Sequence, residues 1–364
     1  MIQYLIWFFI LFSFIQFLVV LFNFIFRPTL KTGQIKGTPV ISILIPARNE
    51  GKNIQNLLDD IRNQSYTNLE VIICNDHSED NTRELVEFEM QKDSRITVFD
   101  AEELPNDWLG KNWACHQLAQ KAKGDYILFL DADVRIEPTL VEKTVAYHQQ
   151  KKLGLLSIFP TQEMKSPGEY NTVPLMHYIL VTLLPLPLVL KSKYASLAAA
   201  NGQFMLFNKL IYNQEQPHEK VKKNKVEDIK IAQNFKKMKI NTACITGVSE
   251  IKCRMYDSYK EGVLGFSKNM VTFFGNSYLL SFLFWGATTV SLMIVPLYGN
   301  PIDNILFFAL FLLTKILFSL TSRQKIVYNL IYTIPQHITM LVILLVSIYT
   351  KFTKTQQWKG RSIS

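Results

Sequence analysis

Cysteine is scarce in this chain, and its spacing carries no structural signal. The four cysteines are Cys74, Cys115, Cys244 and Cys253. They lack the spacing of zinc ligands and of a disulfide framework, which argues against a cysteine zinc module and a disulfide-stapled secreted domain. Reduced thiols instead fit a cytoplasmic domain.

Charge is absent from the first 26 residues, Met1 to Phe26. An apolar segment of this length spans a bilayer. A cleaved signal peptide would have a basic start and a shorter apolar region, so we expect an uncleaved transmembrane anchor over residues 1–26. Arg27, Lys31 and Lys36 follow directly. This positive flank predicts that the next domain lies in the cytoplasm.

Aromatic residues are nearly absent from the most basic stretch, residues 220–239, which contains only Phe235. The formal net charge of the chain is +9, and much of the excess lies here. Sites for nucleic acid usually combine basic and aromatic side chains, so we expect no nucleic-acid partner. The lysines are either solvated or attracted to anionic lipid.

Strand and helix patterns alternate after a short linker, residues 27–38. The predicted strands cover residues 40–46, 69–74, 96–99 and 126–130. The predicted helices cover residues 54–61, 82–90 and 112–121. This alternation predicts an α/β fold with a mostly parallel sheet and right-handed crossovers. Further along, residues 153–159, 203–207 and 240–248 read as strands and residues 226–235 as a helix.

Two carboxylates follow the most apolar predicted strand. Tyr126–Leu130 runs directly into Asp131-Ala132-Asp133. Ligands of open α/β sheets bind at the carboxyl ends of strands. Paired carboxylates repel unless a cation compensates them, and oxygen ligands of this kind suit Mg²⁺ or Mn²⁺. The simpler alternative is a polar turn that ends the strand.

Three long apolar segments make up most of the C-terminal part. They cover residues 277–298, 304–320 and 326–350. The loop 299–303 has no Lys or Arg, whereas Arg323 and Lys325 make the next loop cytoplasmic by the positive-inside rule. Three full spans would leave the basic tail, residues 351–364, outside, against the same rule. The sequence leaves open whether 326–350 spans, re-enters or lies along the interface.

A shorter apolar stretch, residues 177–190, is interrupted by Pro185 and Pro187. It is too short to span a bilayer comfortably. Two interpretations are open. The stretch lies at the membrane surface or lines an acceptor site, or it is a buried core helix.

Six short motifs occur in order along the chain. They are Ile45-Pro46-Ala47-Arg48-Asn49-Glu50, Asn75-Asp76-His77-Ser78, Trp108-Leu109-Gly110-Lys111, Asp131-Ala132-Asp133, Glu227-Asp228 and Trp358-Lys359-Gly360-Arg361. In these motifs the chain resembles the family 2 glycosyltransferases. It is most similar to the membrane-anchored bacterial branch with carotenoid (diaponeurosporenoate) and hopanoid-pathway enzymes. The resemblance implies a GT-A (nucleotide-diphospho-sugar transferase), Rossmann-like fold between N- and C-terminal transmembrane helices.

The resemblance also implies how a donor, most often a UDP-sugar, is bound. Asp76 matches the carboxylate that reads the nucleobase, although the family more often has a second Asp at Asn75. Pro46 and Glu50 would lie beside the nucleotide; Glu50 is alternatively a helix N-terminal charge.

Further matches concern the diphosphate and its metal. Asp131 and Asp133 match the DxD pair that holds Mg²⁺ or Mn²⁺, with Asp131 also near the ribose. Lys111 and Arg254 are expected at the diphosphate, together with Arg361 and Trp358 of the tail, although Lys111 is alternatively a solvated lysine ahead of a helix.

The expected catalytic residue is Asp228. It matches the family's general base, which accepts a proton from the acceptor hydroxyl during a single inverting displacement. Glu227 is expected to orient the loop or contact the acceptor. Without the resemblance, Glu227-Asp228 would read as a helix cap.

The expected function is that of an inverting hexosyltransferase that moves one sugar from a UDP-sugar to a membrane lipid acceptor, a hydroxyl or a carboxylate. Alternatives are a polyprenyl-phosphate sugar transferase or polysaccharide synthase, and a non-catalytic membrane scaffold. The Gln-x-x-Arg-Trp motif of processive members is missing, which favours single transfer. The expected domains are an anchor (1–26), a cytoplasmic catalytic domain (39–270), membrane segments (277–350) and a basic tail (351–364).

Overall fold

The computed structural model describes residues 1–31, 33–353, 355, 357, 358, 361 and 362, and it divides into two compact units. The sheet unit consists of Pro28–Thr161 and Leu188–Arg254, and the helical unit of Met1–Arg27, Gln162–Pro187 and Met255–Ser364. Two segments of the expected 39–270 domain, residues 162–187 and 255–270, therefore pack within the helical unit. The division does not follow a single cut along the sequence.

Seven strands form the central sheet of the sheet unit. They are β1 (Ile41–Ala47), β2 (Leu69–Asn75), β3 (Ile96–Asp100), β4 (Tyr126–Leu130), β6 (Leu155–Phe159), β8 (Phe204–Asn208) and β9 (Thr242–Thr246). Their order is β3-β2-β1-β4-β8-β6-β9. β1, β2, β3 and β4 are parallel, whereas β8 is antiparallel to both β4 and β6. The predicted mostly parallel sheet is confirmed, with one reversed strand in its middle.

Helices pack against this sheet through their apolar faces, which bury the apolar side chains of the strands. They are α2 (Ile54–Arg62), α3 (Thr82–Met90), α4 (Gly110–Lys121), α5 (Leu140–Lys151), α9 (Lys209–Glu215), α10 (Pro217–Lys220) and α11 (Glu227–Lys237), with a 3-10 helix at Ala195–Leu197. Ile54, Leu57, Leu58 and Ile61 of α2 are fully buried, as their spacing predicts. The division between the units falls within α8 (Pro187–Lys191), between Pro187 and Leu188.

A second, small sheet carries one edge of the site. It contains β5 (Val134–Ile136), β10 (Ile251–Cys253) and β7 (Thr161–Gln162). β5 and β10 are antiparallel, and Val134 pairs with Cys253. The residues next to this pair, Asp133 and Arg254, therefore lie opposite each other at the end of the ladder.

The helical unit contains the candidate membrane spans. Its helices are α1 (Ile2–Phe26), α6 (Pro167–Thr172), α7 (Pro174–Leu183), α12 (Tyr259–Ser267), α13 (Tyr278–Tyr298), α14 (Pro301–Thr321), α15 (Ile326–Ile331) and α16 (Thr333–Thr353), with a 3-10 helix at Met270–Phe274. Within the described residues, α1, α13, α14 and α16 are long and apolar enough to cross a membrane. Membrane association follows from these four helices.

The stretch 177–190 is only partly a buried helix. Residues 177–182 of α7 are buried, whereas α7 ends at Leu183, which is 39% exposed, ahead of Pro185. The buried part agrees with a core helix; a role at the membrane surface or at an acceptor stays a prediction.

The tail motif is only partly described. β11 (Gln357–Trp358) pairs antiparallel with β12 (Arg361–Ser362). Lys359 and Gly360 lie outside the described residues. The expected contact of Trp358 and Arg361 with a diphosphate stays a prediction.

Candidate active site

The expected site residues of the sheet unit gather at one edge of the central sheet. Asp76 follows β2 and Asp131 follows β4, so both lie at the carboxyl ends of parallel strands. β8 runs the other way, and its amino end meets them there, because the Asp131 N–H donates to the Gln203 carbonyl at 3.2 Å. One antiparallel strand thus adds the loop 201–203 to an edge otherwise formed by strand ends.

The loop that contains Asp76 is held by a buried arginine. Arg48 Nη1 donates to the carbonyls of Asp76 at 2.7 Å and of His77 at 3.1 Å. The Asp76 N–H donates to the Ala47 carbonyl at 2.8 Å. The carboxylate of Asp76 is therefore set by a fixed backbone, as a group that reads a nucleobase requires.

Asn75 has a structural task that accounts for its departure from the family pattern. Its Nδ2 donates to Asp100 Oδ1 at 2.8 Å, and its Oδ1 accepts from the Ser78 N–H at 3.3 Å. Asp100 also pairs with Arg83. An aspartate at position 75 would face the Asp100 carboxylate, so the amide is the compatible group here.

Pro46 and Glu50 lie at the end of β1 and in the loop behind it. Pro46 is half-buried and lies beside Cys74 of β2 in the ladder. Glu50 is buried, its Oε2 accepts from Asn53 Nδ2 at 3.0 Å, and its N–H donates to Thr82 Oγ1 at 2.7 Å. These contacts order the turn before α2; a contact of either residue with nucleotide stays a prediction.

Lys111 lies between two carboxylates of the expected site, Asp131 and Glu227. Its Nζ lies 2.8 Å from Asp131 Oδ1 and 3.6 Å from Glu227 Oε1. Burial lowers the pKa of Lys111, but the two carboxylates outweigh burial and hold that pKa well above its usual value. The ammonium is therefore ion-paired at the Asp131 end of β4, and the Lys111 side chain is 23% exposed; its contact with a diphosphate stays a prediction.

Asp228 is oriented by backbone groups. Its Oδ2 accepts from the Gly202 N–H at 2.9 Å and its Oδ1 from the Ile229 N–H at 2.7 Å. Burial, followed by the charge of Glu227, raises the pKa of Asp228 to about 7. Burial also raises the pKa of Glu227, although Lys111 opposes this shift. A carboxylate whose pKa is near neutrality is suited to general base chemistry.

The loop ahead of α11 is anchored on α4 by Asn112. Asn112 Nδ2 donates to the carbonyls of Val221 at 3.1 Å, Lys222 at 3.2 Å and Asn224 at 3.1 Å. Because Asn112 follows Lys111, the first turn of α4 positions the Lys111 ammonium and also anchors the loop that leads to Glu227 and Asp228.

Gly202 lies where these charges converge. A Cβ at this position would be 3.2 Å from Lys111 Nζ, 3.3 Å from Glu227 Oε1 and 3.8 Å from Asp228 Oδ2. The missing side chain leaves room for the charged groups to approach each other. Its N–H meanwhile holds Asp228.

Asp133 and Arg254 complete the edge on the side of the small sheet. Both are adjacent to the Val134–Cys253 pair. Gln203 Nε2 contacts Cys253 Sγ at 2.8 Å. Burial, with Asp133 and then Asp131, raises the pKa of the Cys253 thiol well above its usual value, so this cysteine is a neutral packing residue.

The donor set at this edge fits a divalent cation shared with a substrate. Among the residues that the structure describes, no three His, Cys, Asp or Glu side chains are grouped so that they alone would hold a metal ion. Asp131 and Asp133 are half-buried carboxylates, and Mg²⁺ is usually held by one or two carboxylates plus substrate phosphates.

Sequence reasoning missed Arg48, Asn112, Gly202 and Gln203 as site-building residues. Arg48 lies inside a quoted motif, and Asn112 directly follows one. For Gly202 the available signal was the Asn-Gly-Gln sequence ahead of a predicted strand. That signal becomes informative only once β8 is known to run antiparallel.

Comparison with known proteins agrees with this fold. Residues 42–214 match the family described as Glycosyl transferase family 2. The chain is 26% identical over 347 residues to a 4,4'-diaponeurosporenoate glycosyltransferase of Staphylococcus haemolyticus, covering 92% of this chain and 91% of the relative. An enzyme of the same name from Staphylococcus aureus is 36% identical over 138 residues, which is 37% of this chain and 35% of that one.

Among solved structures, the mannosyltransferase of Pyrobaculum calidifontis in complex with GDP-Man and Mn²⁺ is similar to this chain. The TM-score is 0.58 at 15% identity, covering 96% of this chain and 100% of that one. At this identity the similarity concerns the fold. Residues 42–214 therefore match glycosyltransferase family 2, nearly the whole chain is similar to a protein named as a glycosyltransferase, and the chain has the GT-A fold.

Proposed function

We propose that this protein is an inverting hexosyltransferase that transfers one hexose from a UDP-sugar to a membrane lipid acceptor. The observation that carries the proposal is the placement of Asp228. Two backbone N–H groups orient this carboxylate next to the Lys111–Asp131 pair at the strand ends. A base and a phosphate-compatible charge thus lie at the place where α/β sheets bind nucleotides.

In this proposal the donor lies across the ends of β1, β2 and β4. Asp76 accepts the imide N–H of uracil, and Pro46 and Glu50 border the nucleoside. Lys111 and Arg254 contact the diphosphate as positive charges. Asp131 and Asp133 hold a Mg²⁺ or Mn²⁺ ion, which would offset the charge that develops on the UDP leaving group.

The proposed chemical step is a single displacement. An acceptor hydroxyl oxygen attacks the anomeric carbon, the bond from that carbon to the diphosphate oxygen breaks, and the hydroxyl proton passes to Asp228. UDP leaves with the bonding electron pair, and the configuration at the anomeric carbon inverts. The fixed backbone donors keep the accepting oxygens of Asp228 in place during the transfer.

The membrane helices and the full-length relative support a membrane lipid as the acceptor. That relative is named for 4,4'-diaponeurosporenoate, a carboxylate by its name. A carboxylate nucleophile has no proton to lose at neutral pH, whereas a hydroxyl has one. Asp228 is therefore essential for a hydroxyl acceptor and much less important for a carboxylate acceptor.

The catalytic unit is assigned to the cytoplasmic side, because basic residues flank the candidate spans at Arg27 and at Arg323 and Lys325. UDP-sugars are made in the cytoplasm, so this side gives the site its donor. A bilayer-resident acceptor explains why a nucleotide-binding sheet is joined to membrane helices.

The test is release of UDP from a panel of UDP-sugars by the full chain in detergent, with native lipids, Mn²⁺ or Mg²⁺, and with EDTA. We expect metal-dependent turnover of one sugar. For a hydroxyl acceptor, Asp228→Asn should lower kcat by about 10²–10⁴-fold. Asp133→Ala should abolish turnover, and Glu84→Gln, an exposed carboxylate of α3, serves as the unaffected control.

Product analysis separates the alternatives. A single-sugar glycolipid supports the proposal, whereas a polyprenyl-phosphate sugar or an insoluble polymer would replace it. A product formed equally well by Asp228→Asn and the unmodified chain identifies a carboxylate acceptor. If no UDP-sugar binds, the donor assignment is wrong.

A further inference from the structure

The relative directions of α1, α13 and α14 follow from contacts at their ends. Gln3 Nε2 donates to Asp303 Oδ2 at 3.0 Å, and Arg27 Nη1 donates to the Leu320 carbonyl at 3.3 Å. These contacts join the beginnings and the ends of α1 and α14, so the two helices are parallel. A two-residue connection after Tyr298 makes α13 antiparallel to both. Arg27, Leu320 and the start of α13 at Tyr278 therefore lie on one side, which we call the near face.

The last long helix, α16, runs back toward the near face. Trp285 Nε1 donates to the His337 carbonyl at 2.9 Å, and Thr289 Oγ1 contacts His337 Nδ1 at 3.1 Å. Ten residues later, the Tyr278 hydroxyl contacts Ser347 Oγ at 3.3 Å. α16 is therefore antiparallel to α13 and ends beside the first residue of α13.

α16 also begins too deep to be a full span. Its first residue, Thr333, is about 6 Å of helix before His337 at about 1.5 Å per residue. From Thr289, α13 continues to Tyr298, about 14 Å further. The start of α16 thus stops about 8 Å of helix short of the far end of α13 at Tyr298.

α15 connects the start of α16 to the near face. Asn329 Nδ2 donates to Ser319 Oγ at 2.9 Å and to Gln324 Oε1 at 3.1 Å. Ser319 and Gln324 flank the end of α14, which lies at the near face. Deeper along the same pair of helices, Lys315 Nζ donates to Gln336 Oε1 at 3.2 Å.

Polar side chains hold this arrangement together inside an apolar unit. Gln336 Nε2 donates to Asn329 Oδ1 at 3.3 Å and to the Tyr170 carbonyl at 3.0 Å, and the Tyr170 and Tyr328 rings stack with centroids 4.3 Å apart. Lys315 is buried. Polar groups at membrane depth are tolerated where protein groups satisfy them, and irregular backbone is tolerated where protein surrounds it.

We propose that residues 326–353 form a re-entrant segment, which enters from the near face, reverses near Tyr332 before it reaches the far face, and returns to the near face. The basic flanks at Arg27, at Arg323 and Lys325, and at Lys351 then lie on one side, and the far-side loop, residues 299–303, has no Lys or Arg. The conflict with the positive-inside rule disappears. The tail also emerges on the face where the chain leaves α1 for the sheet unit.

The test is labelling of single introduced cysteines in membrane vesicles of one orientation with a membrane-impermeant maleimide. The sites are Lys31→Cys for the near face, Ile302→Cys for the far face and Thr355→Cys for the tail; all three positions are exposed. The four native cysteines are buried and give a low background. We expect positions 31 and 355 to label under the same condition, and position 302 only from the opposite side.

Labelling of position 355 from the side of position 302, alone or in addition, would overturn the re-entrant topology. If Thr355→Cys is not recovered in the membrane, Lys351→Cys replaces it with the same expected pattern, since that residue is exposed and its Nζ lies 5.1 Å from the Tyr278 ring centroid. The experiment requires no turnover, so it stands apart from the proposed chemistry.

Discussion

At the scale of single residues, the site depends on a few charges whose positions are fixed by backbone groups. Asp228 is held by two N–H donors, and Lys111 is held between Asp131 and Glu227. Such a site loses function when charges shift by a fraction of an ångström, even if the fold is intact.

The first residue-scale prediction concerns pH. Because the pKa of Asp228 is raised to about 7, the carboxylate is protonated below that pH and accepts no proton. We expect kcat/KM for a hydroxyl acceptor to rise as pH increases through about 7, measured from about pH 5 to about pH 9 at saturating metal.

Glu227→Gln tests the cause of this inflection. Glu227 raises the pKa of Asp228 by its negative charge. The neutral variant should therefore shift the inflection to lower pH, whatever its maximal rate. An inflection that does not move, or a profile that is flat across neutrality, contradicts the assignment of Asp228 as the base.

The second residue-scale prediction concerns Gly202. An alanine Cβ would press on Lys111 Nζ and Glu227 Oε1, which are the movable ends of side chains, so the fold should persist. We expect Gly202→Ala to lower kcat by about tenfold to a hundredfold with little change in the melting temperature. Gly286→Ala, where an added Cβ has no neighbour within 4 Å, is the matched control. Unchanged turnover in Gly202→Ala would contradict the crowding argument.

At the scale of elements, α1 packs as part of the helical unit in addition to being an apolar anchor. Its buried residues recur every three or four positions, and they are Ile6, Phe9, Ser13, Gln16, Val20 and Asn23. Half of this stripe is polar. Polar side chains on an apolar helix are placed against protein, because lipid offers them no hydrogen-bond partner.

Asn23 provides the element-scale prediction. Its Nδ2 donates to the carbonyls of Val181 and Leu184, both at 2.8 Å, and its Oδ1 accepts from the Leu186 N–H at 2.7 Å. Asn23→Leu keeps the side-chain size and the apolar character of α1 but leaves these backbone groups without partners. Each buried unsatisfied group costs about 1–3 kcal/mol.

The measurement is thermal unfolding of the full chain in detergent. We expect a clear fall of the apparent Tm for Asn23→Leu. Phe24→Leu changes the next residue, which is 39% exposed, and should leave the Tm unchanged. Equal melting of the two variants would mean that α1 acts only as an anchor.

At the scale of the whole molecule, the two units are interleaved along the sequence. The sheet unit is interrupted by residues 162–187, and the helical unit collects three separate segments. Local patterns could not predict this division, because they describe each segment and not the neighbours it packs against. Hydrophobic periodicity correctly predicted the seven strands of the central sheet and the helices α2, α3, α4 and α11. The extent of the catalytic domain, residues 39–270, came from the family resemblance and stays a prediction.

The sequence by itself determined the strand–helix alternation, the carboxylates at the strand ends, the long apolar segments and the resemblance to the family. These features are local, and side-chain periodicity and residue order carry them. Asp76 and Asp131 follow strands that the periodicity predicts, whereas Asp228 was named only through the resemblance; the roles of all three stay predictions.

Tertiary structure decided the rest, because it depends on pairing between distant segments. The antiparallel β8 brings Gly202 to Asp228, and the ladder of β5 and β10 sets Arg254 opposite Asp133. Only contacts between helices show that α16 returns to the face where α13 begins. Hydropathy measures the apolar length of a segment, whereas its direction is set by the hydrogen bonds of a few polar side chains with their neighbours.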